Sequence, residues 1–252
     1  MNEHKKEMLK LFNSFRYKHR MGDVVTDFLE ITALSIANSC DKVNFNKREE
    51  RYFQVIKKYN KEELNTIAKL FAELVLALED EPTDILGEIF MQLDLGDKWK
   101  GQFFTPMSVA NVCAEFTLGD ITQEYLNEKE FISVNEPTCG GGAMVIGIVN
   151  AFRKKNFNFQ QQMYVIAQDL DIRAVHMCYI QLSLLGVPAI VMHSNSLTVE
   201  VFDEFKTPFY ILFGWEHKRL KRREREKKEE AVLNINSKIK DLVNKVERSL
   251  SA

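Results

Sequence analysis

From residue 131 onward, short apolar runs alternate with longer amphipathic ones, and this alternation limits the fold more than any other feature of the chain. The runs are FISV (131–134), MYVIAQ (163–168), AIVMH (189–193) and FYILF (209–213). Between the first three stand AMVIGIVNAFRKK and DLDIRAVHMCYIQLSLLG, which read as helices. Strand–helix–strand succession builds a parallel sheet. Strands that are apolar nearly throughout predict a sheet covered on both faces.

The first 100 residues have a different texture and predict helices. In KEELNTIAKLFAELVLALED (61–80), Leu64, Ile67, Ala68, Phe71, Leu74, Val75 and Leu78 form one apolar stripe. GDVVTDFLEITALSIANSC (22–40) is similar. No proline precedes Pro82, which predicts a helix start there, with Pro82 in the first turn. Past residue 216, HKRLKRREREKKEE (217–230) carries eight Lys or Arg and four Glu. Ile235, Ile239, Leu242, Val246 and Leu250 then make an apolar seam on one long helix. The expected organisation is a helical domain at 1–98, an α/β domain at 99–215 and a charged C-terminal helix at 216–252.

Composition excludes several classes. At 252 residues, 45% hydrophobic and 28% charged, the chain is an ordinary globular one. A net charge of −2 gives no general attraction to nucleic acid or membrane, so any basic surface is local. The four cysteines show no CxxC spacing, which argues against zinc and against a disulfide framework, and a reduced cytoplasmic setting is expected. The charged N-terminus is no secretory signal, and no apolar run approaches the ~20 residues of a membrane span.

NEPTCGGGAMVIG (135–147) joins the first strand to its helix. Its glycines could be a flexible turn, a phosphate cradle or the floor of a nucleotide pocket. No Lys-Ser/Thr follows at phosphate-loop spacing, and Val145 stands where a dinucleotide fingerprint has its third glycine. In open α/β sheets ligands bind at the carboxyl ends of strands, and glycine there lets a ligand approach the backbone. Asp169 ends the next strand, where a carboxylate can accept from both ribose hydroxyls; the alternative is a solvated or capping acid. Asp171 is the better candidate for the helix cap. Upstream, KGQFFTPMSVANVCAEF (100–116) places Thr105 as a cap and Pro106 at a first helical position, or else holds a buried aromatic pair before an ordinary helix. Cys139 reads as a small buried spacer.

Taken together, GQFFTP, NEPTCGGGAM, AQDLDIRAVHMCYIQLSLLG and MHSNSL resemble the N6-adenine DNA methyltransferases, specifically the modification subunits of type I restriction systems. The likeness runs over about residues 85–200, in the family's order and spacing. It implies a Rossmann-like sheet that binds S-adenosylmethionine, here truncated, between an N-terminal helical bundle and a long C-terminal helix. By the same resemblance Gln102, Phe103, Phe104, Thr105, Pro106 and Met107 line the methionine end. Glu136, Gly140, Gly141 and Gly142 form the floor, Asp169 takes the ribose hydroxyls, and Asn195 contacts the adenine edge. The family's chemistry needs no metal.

Methyl transfer in this family uses Asn or Asp, then Pro-Pro, then an aromatic that stacks on a flipped base. No such motif follows NSL. The nearest stretch is KTPFY, with Thr207, Pro208 and Phe209 as catalytic candidates and Lys206 in the amide's place. A lysine ammonium has no acceptor for the adenine amino group, although a backbone carbonyl could serve. The alternative is that KTPFYILFGW is simply a loop and strand. The family's remaining strands have no room after residue 216. The resemblance therefore predicts an adenine-N6 DNA methyltransferase of restriction–modification type. Its alternatives are a degenerate methyltransferase that keeps the cofactor and acts as a regulatory or DNA-binding subunit, and an assembly protein with a vestigial pocket. Double-stranded DNA is the expected partner, through Lys218, Arg219, Arg222 and Arg223, unless that face is merely solvated and laced with glutamate. A specificity or other protein subunit, or self-association through the C-terminal helix, would cover the apolar seam.

Overall fold

The computed structural model of the chain describes residues 2–93, 95 and 104–250, with backbone alone for 236–250. Residues 1–213 make one compact unit and Gly214–Ala252 a second. The expected boundary at residue 98 lies outside the described residues, as do Gln102 and Phe103.

Among the described residues five helices come first: α1 (Glu3–Asn13), α2 (Met21–Cys40), α3 (Phe45–Ile56), α4 (Lys61–Asp80) and α5 (Ile85–Gln92). The stripe read from 61–80 overlaps the buried face of α4 only in part: Ile67, Leu74 and Leu78 enter the core as expected, joined by Leu70 and Ala77, while Ala68 is exposed and Leu64, Phe71 and Val75 are half-buried. Asn60 and Glu63 close a capping box at its start. Pro82 does not open α5 as expected. The cap is Asp84, whose side chain accepts from Gly87 N, and Pro82 lies ahead of it in the connection.

The α/β part follows as α6 (Met107–Thr117), α7 (Gln123–Lys129), β1 (Ile132–Glu136), α8 (Ala143–Lys154), α9 (Phe159–Gln162), β2 (Met163–Asp169), α10 (Ile172–Leu184), β3 (Ala189–Asn195), β4 (Glu200–Lys206) and α11 (Pro208–Leu212). The expected cap at Thr105 is displaced by one residue: Pro106 is the N-cap of α6 and makes no side-chain bond. The four strands form one sheet in the order β1-β2-β3-β4. β1, β2 and β3 are mutually parallel, as the alternation predicts, and β4 returns antiparallel to β3.

β4 is not the expected fourth run. FYILF is mostly helix α11, with Pro208 in its first turn. Proline has its φ set for a first helical turn and no N–H to leave unsatisfied there, which suits Pro208 to open α11. The strand is instead EVFDEFK, too polar to stand out by composition.

Both faces of the sheet are not equally covered, contrary to expectation. Val165, Ala167, Val191 and Phe205 share one face and lie in a single hydrophobic core with α8 and α10. On the other face Ser133 and Asn135 of β1 are exposed, and Tyr164 beside them packs edge-on to Phe131. The N-terminal helices add a further layer: α2 runs along α10, and α4 and α5 touch it too. Arg48 of α3, 4% exposed, clamps this layer to the sheet. It donates to Asp41 at 2.6 Å and to the Glu204 carbonyl at 2.9 Å, with its guanidinium over the Phe205 ring. In the second unit, Trp215–Leu250 is one helix, α12. Among the described residues no helix is long and apolar enough to cross a membrane.

Candidate functional site

Parallel strands bring their carboxyl ends together, so Glu136, Asp169 and Asn195 form a row along the ends of β1, β2 and β3. The glycine turn begins beside this row. Cys139 N donates to Gln168 O at 2.9 Å, which ties the turn to β2. Gly142 N donates to Cys139 O at 2.8 Å and closes the turn ahead of α8. Gly140 and Gly142 have φ of +52° and +102°, values that favour glycine.

All three glycines are packed against protein. A Cβ on Gly140 would meet the Phe104 ring at 3.1 Å, and one on Gly142 the Cys178 sulfur at 3.3 Å. One on Gly141 would stand 2.4 Å from Asp84 Oδ1. The glycines thus let neighbouring elements approach the turn from behind, and the expectation that they clear space for a ligand alone is too narrow.

Asp169 holds the site together. Its Oδ2 accepts from Gly140 N and its Oδ1 from Asp171 N, each at 2.9 Å. Two backbone bonds leave lone pairs on both oxygens for a further donor. Asp171 caps α10, accepting from Arg173 N, as its position predicts. Glu136 lies next to Asp169, and burial pushes its carboxyl above the ordinary range, with the neighbouring carboxylate adding to the effect. It accepts from Thr138 N at 3.2 Å. Asn195 Oδ1 accepts from Leu197 N and Thr198 N, which shapes the β3–β4 connection, while its Nδ2 has no partner among the described residues. Ser194 at the same end donates to Gln168 Oε1 at 2.8 Å.

Behind the glycine turn sits a buried polar junction that sequence reasoning missed. Asp84 Oδ1 accepts from Gln181 Nε2 and from Gly87 N, each at 2.8 Å. Gln181 Nε2 also donates to Gly141 O at 2.7 Å, and its Oε1 accepts from Leu86 N at 3.0 Å. One amide therefore joins α5, α10 and the turn. The signal in the sequence was a glutamine inside the apolar run MCYIQLSLLG; nothing local showed that Asp84 would face it. Next to this junction, α5 and the residues Phe104 to Met107 enclose a cleft of about 340 Å³. Phe104 stands edge-on to Phe90 at 5.7 Å, which fixes its ring over the turn. Phe104 is therefore brought to the glycine turn, while Thr105, Pro106 and Met107 line the cleft.

Thr207, Pro208 and Phe209 are brought to neither. β4 runs antiparallel, so its end lies at the amino ends of the parallel strands: Lys206 pairs with Ile190 at the start of β3. Thr207 is buried there, donating to Val187 O at 2.7 Å and accepting from Ala189 N at 2.9 Å. Its hydroxyl is consumed by the fold, at the opposite end of the sheet from Asp169. The Phe209 ring stacks on Phe213 at 5.3 Å and lies against Gly186.

On α12, the charged stretch is partly engaged within its own helix. Arg222 pairs with Glu226 at 2.7 Å, Arg225 with Glu229 at 3.9 Å, and Lys218 lies over the Trp215 ring. Arg223 is exposed. These i,i+4 pairs are what a solvated, glutamate-laced face would form.

A family model described as N-6 DNA methylase matches residues 83–238. No curated protein matches the chain. Among solved structures, a protein from Listeria monocytogenes assigned as a class I S-adenosylmethionine-dependent methyltransferase aligns with a TM-score of 0.43 and 15% identity. The alignment covers 78% of this chain and 55% of that one, so this chain spans little more than half of its length. A likeness so distant says nothing about individual residues.

Proposed function

Because the chain belongs to the N-6 DNA methylase family, we propose that it is an S-adenosylmethionine-dependent methyltransferase acting on adenine N6 in double-stranded DNA, in a modification role like that of restriction-system subunits. The observation that carries the reading is the row of Glu136, Asp169 and Asn195 at the carboxyl ends of three neighbouring strands, beside the glycine turn. That is where open α/β sheets bind their ligands. The residues suit the cofactor. Asp169 has lone pairs left for two ribose hydroxyls, the Asn195 Nδ2 can donate to an adenine nitrogen, and the cleft beside Phe104–Met107 has room for the amino-acid end. When bound, the cofactor supplies a methyl group activated on a sulfonium. The chain's own part is to hold and orient it: Asp169 couples the ribose position to the Gly140 backbone, so the ligand and the turn are set together.

A second reading, a cofactor-binding subunit that relies on another chain for the base-stacking aromatic, is favoured by one observation. The Thr207–Phe209 stretch lies at the far end of the sheet, and the Thr207 hydroxyl is committed to Val187 and Ala189.

Calorimetric titration with S-adenosylmethionine should give saturable binding, and tritiated methyl transfer to adenine-rich duplex DNA should give incorporation. Incorporation unaffected by Phe209→Ala would agree with the position of that ring away from the site. Binding without incorporation would replace the first reading with the second, and a folded sample that takes no cofactor would remove both.

A further inference from the structure

His193 stands near the carboxyl end of β3, two residues before Asn195, and the cofactor reading gives it no task. It lies opposite Asp169 where β2 pairs with β3, and strand periodicity puts both on the face that carries Ala167 and Val191. Its Nε2 donates to the Leu170 carbonyl oxygen at 3.1 Å, a bond between residues 23 positions apart. Phe202 of β4 flanks the same ring, tilted against it with 4.9 Å between centroids. The β3–β4 ladder shifts register between His193 and Ser194. Bulges of this kind re-aim the side chains beside them and gather next to functional sites. Leu170 is the middle of the segment Asp169–Asp171. Gly140 N and Asp171 N fix the two oxygens of Asp169, and Asp171 is itself committed to the first turn of α10 and to Arg173. Those bonds hold the segment from the glycine turn and from α10, and His193 holds it from β3. The Leu170 side chain is 62% exposed, so its own packing does little to fix the segment.

We propose that His193 is a positioning residue for the ribose-binding carboxylate: by holding the Leu170 carbonyl, it sets the orientation in which Asp169 meets the two ribose hydroxyls. The inference rests on the cofactor reading given above, and within it on Asp169 as the ribose acceptor. A carboxylate that accepts from two neighbouring hydroxyls must keep both oxygens within hydrogen-bond reach at once. A small rotation of the segment therefore weakens both bonds together. The backbone bonds to Gly140 and Asp171 fix where the Asp169 oxygens lie relative to the turn, and the bond from His193 fixes the segment relative to β3. Because Asn195 is on that same strand, His193 also keeps the ribose position in step with the adenine position. A site that depends on such supporting contacts loses precision when one is removed, even though the removed side chain touches no ligand.

The test compares two ligands and three proteins by calorimetric titration. The ligands are S-adenosylhomocysteine and its 2′,3′-dideoxy analogue, which lacks the hydroxyls offered to Asp169. The proteins are the full chain, His193→Leu, which removes the donor, and His193→Gln, whose side-chain amide can still donate. The wild type should prefer the hydroxylated ligand. In His193→Leu that preference should shrink about fivefold, the size of one hydrogen bond, with affinity for the dideoxy ligand retained. His193→Gln should restore most of it. An undiminished preference in His193→Leu would overturn the proposal. Equal weakening of both ligands would overturn it too, because a general loss of structure does not single out the ribose hydroxyls, and so would a failure of His193→Gln to restore the preference. Should His193→Leu not fold, His193→Asn, which shortens the donor's reach, takes its place with the same outcomes. A wild type that binds both ligands equally would remove Asp169 as ribose acceptor and the proposal with it. A wild type that binds neither would show that the cofactor reading itself had failed.

Discussion

Gly141 shows how a single residue type can be dictated by something distant in the chain. Its missing Cβ is the space of the Asp84 carboxylate, which would lie 2.4 Å away. Gly141→Ala should therefore destabilise the fold by about 1–3 kcal/mol, since neither the turn nor the doubly bonded carboxylate can move freely. Thermal unfolding followed by circular dichroism measures this, and an unchanged midpoint would mean that Asp84 yields. Asp169 is a second such residue. Read alone, it is one acid at a strand end. In the fold it is the acceptor that holds Gly140 and Asp171 in place, so deleting it would disturb the turn as well as the ligand contact proposed for it.

Among the elements, the β3–β4 hairpin carries visible backbone strain. Val199 has φ of +61° and is 81% exposed, so a β-branched side chain sits in the left-handed region without burial to offset it. The Val199 N–H bonds to Asn195 O at 2.8 Å, which keeps the connection tight. Val199→Asn should raise stability by on the order of 1 kcal/mol, because asparagine tolerates this conformation. Denaturant midpoints of the two proteins would decide it, and a lower midpoint in the variant would point to a side-chain contact that matters. α11 teaches the opposite lesson about apolar runs. FYILF has the composition of a buried strand, yet Pro208 starts a helix and the ladder position goes to the polar EVFDEFK.

At the scale of the whole molecule, stability should depend on pH through His176. It is buried on α10 with its ring edge-on to Phe205, and burial pushes its pKa down from near 6.5 to about 4. Acidic neighbours, chiefly Glu30 and Asp203, oppose the shift without cancelling it. Between those two values the unfolded chain takes up a proton that the folded chain refuses. Stability is therefore full above about pH 6.5 and declines as pH falls towards 4, by on the order of 3 kcal/mol from this residue. Urea midpoints at pH 7.5 and pH 5 should differ accordingly, and His176→Gln should flatten the difference. An equal slope in the variant would assign the effect to other groups.

What the sequence determined by itself was the alternation of the first three strands with their helices, the parallel pairing of β1, β2 and β3, and the place of Asp169 at the end of β2. These follow from local rules: period, apolar runs, and the fact that successive parallel strands end on the same side. It also placed the glycine turn between strand and helix. The tertiary structure decided the rest. It put Asp84 under Gly141 and joined both through Gln181, a contact between residues nearly a hundred positions apart that no spacing could reveal. It reversed β4, which carried Thr207, Pro208 and Phe209 to the amino ends of the strands, away from the site their order in the chain suggested. The physical reason is common to both. Local chemistry chooses an element's type, but the direction in which it runs and what lies behind it depend on how several faces are buried at once.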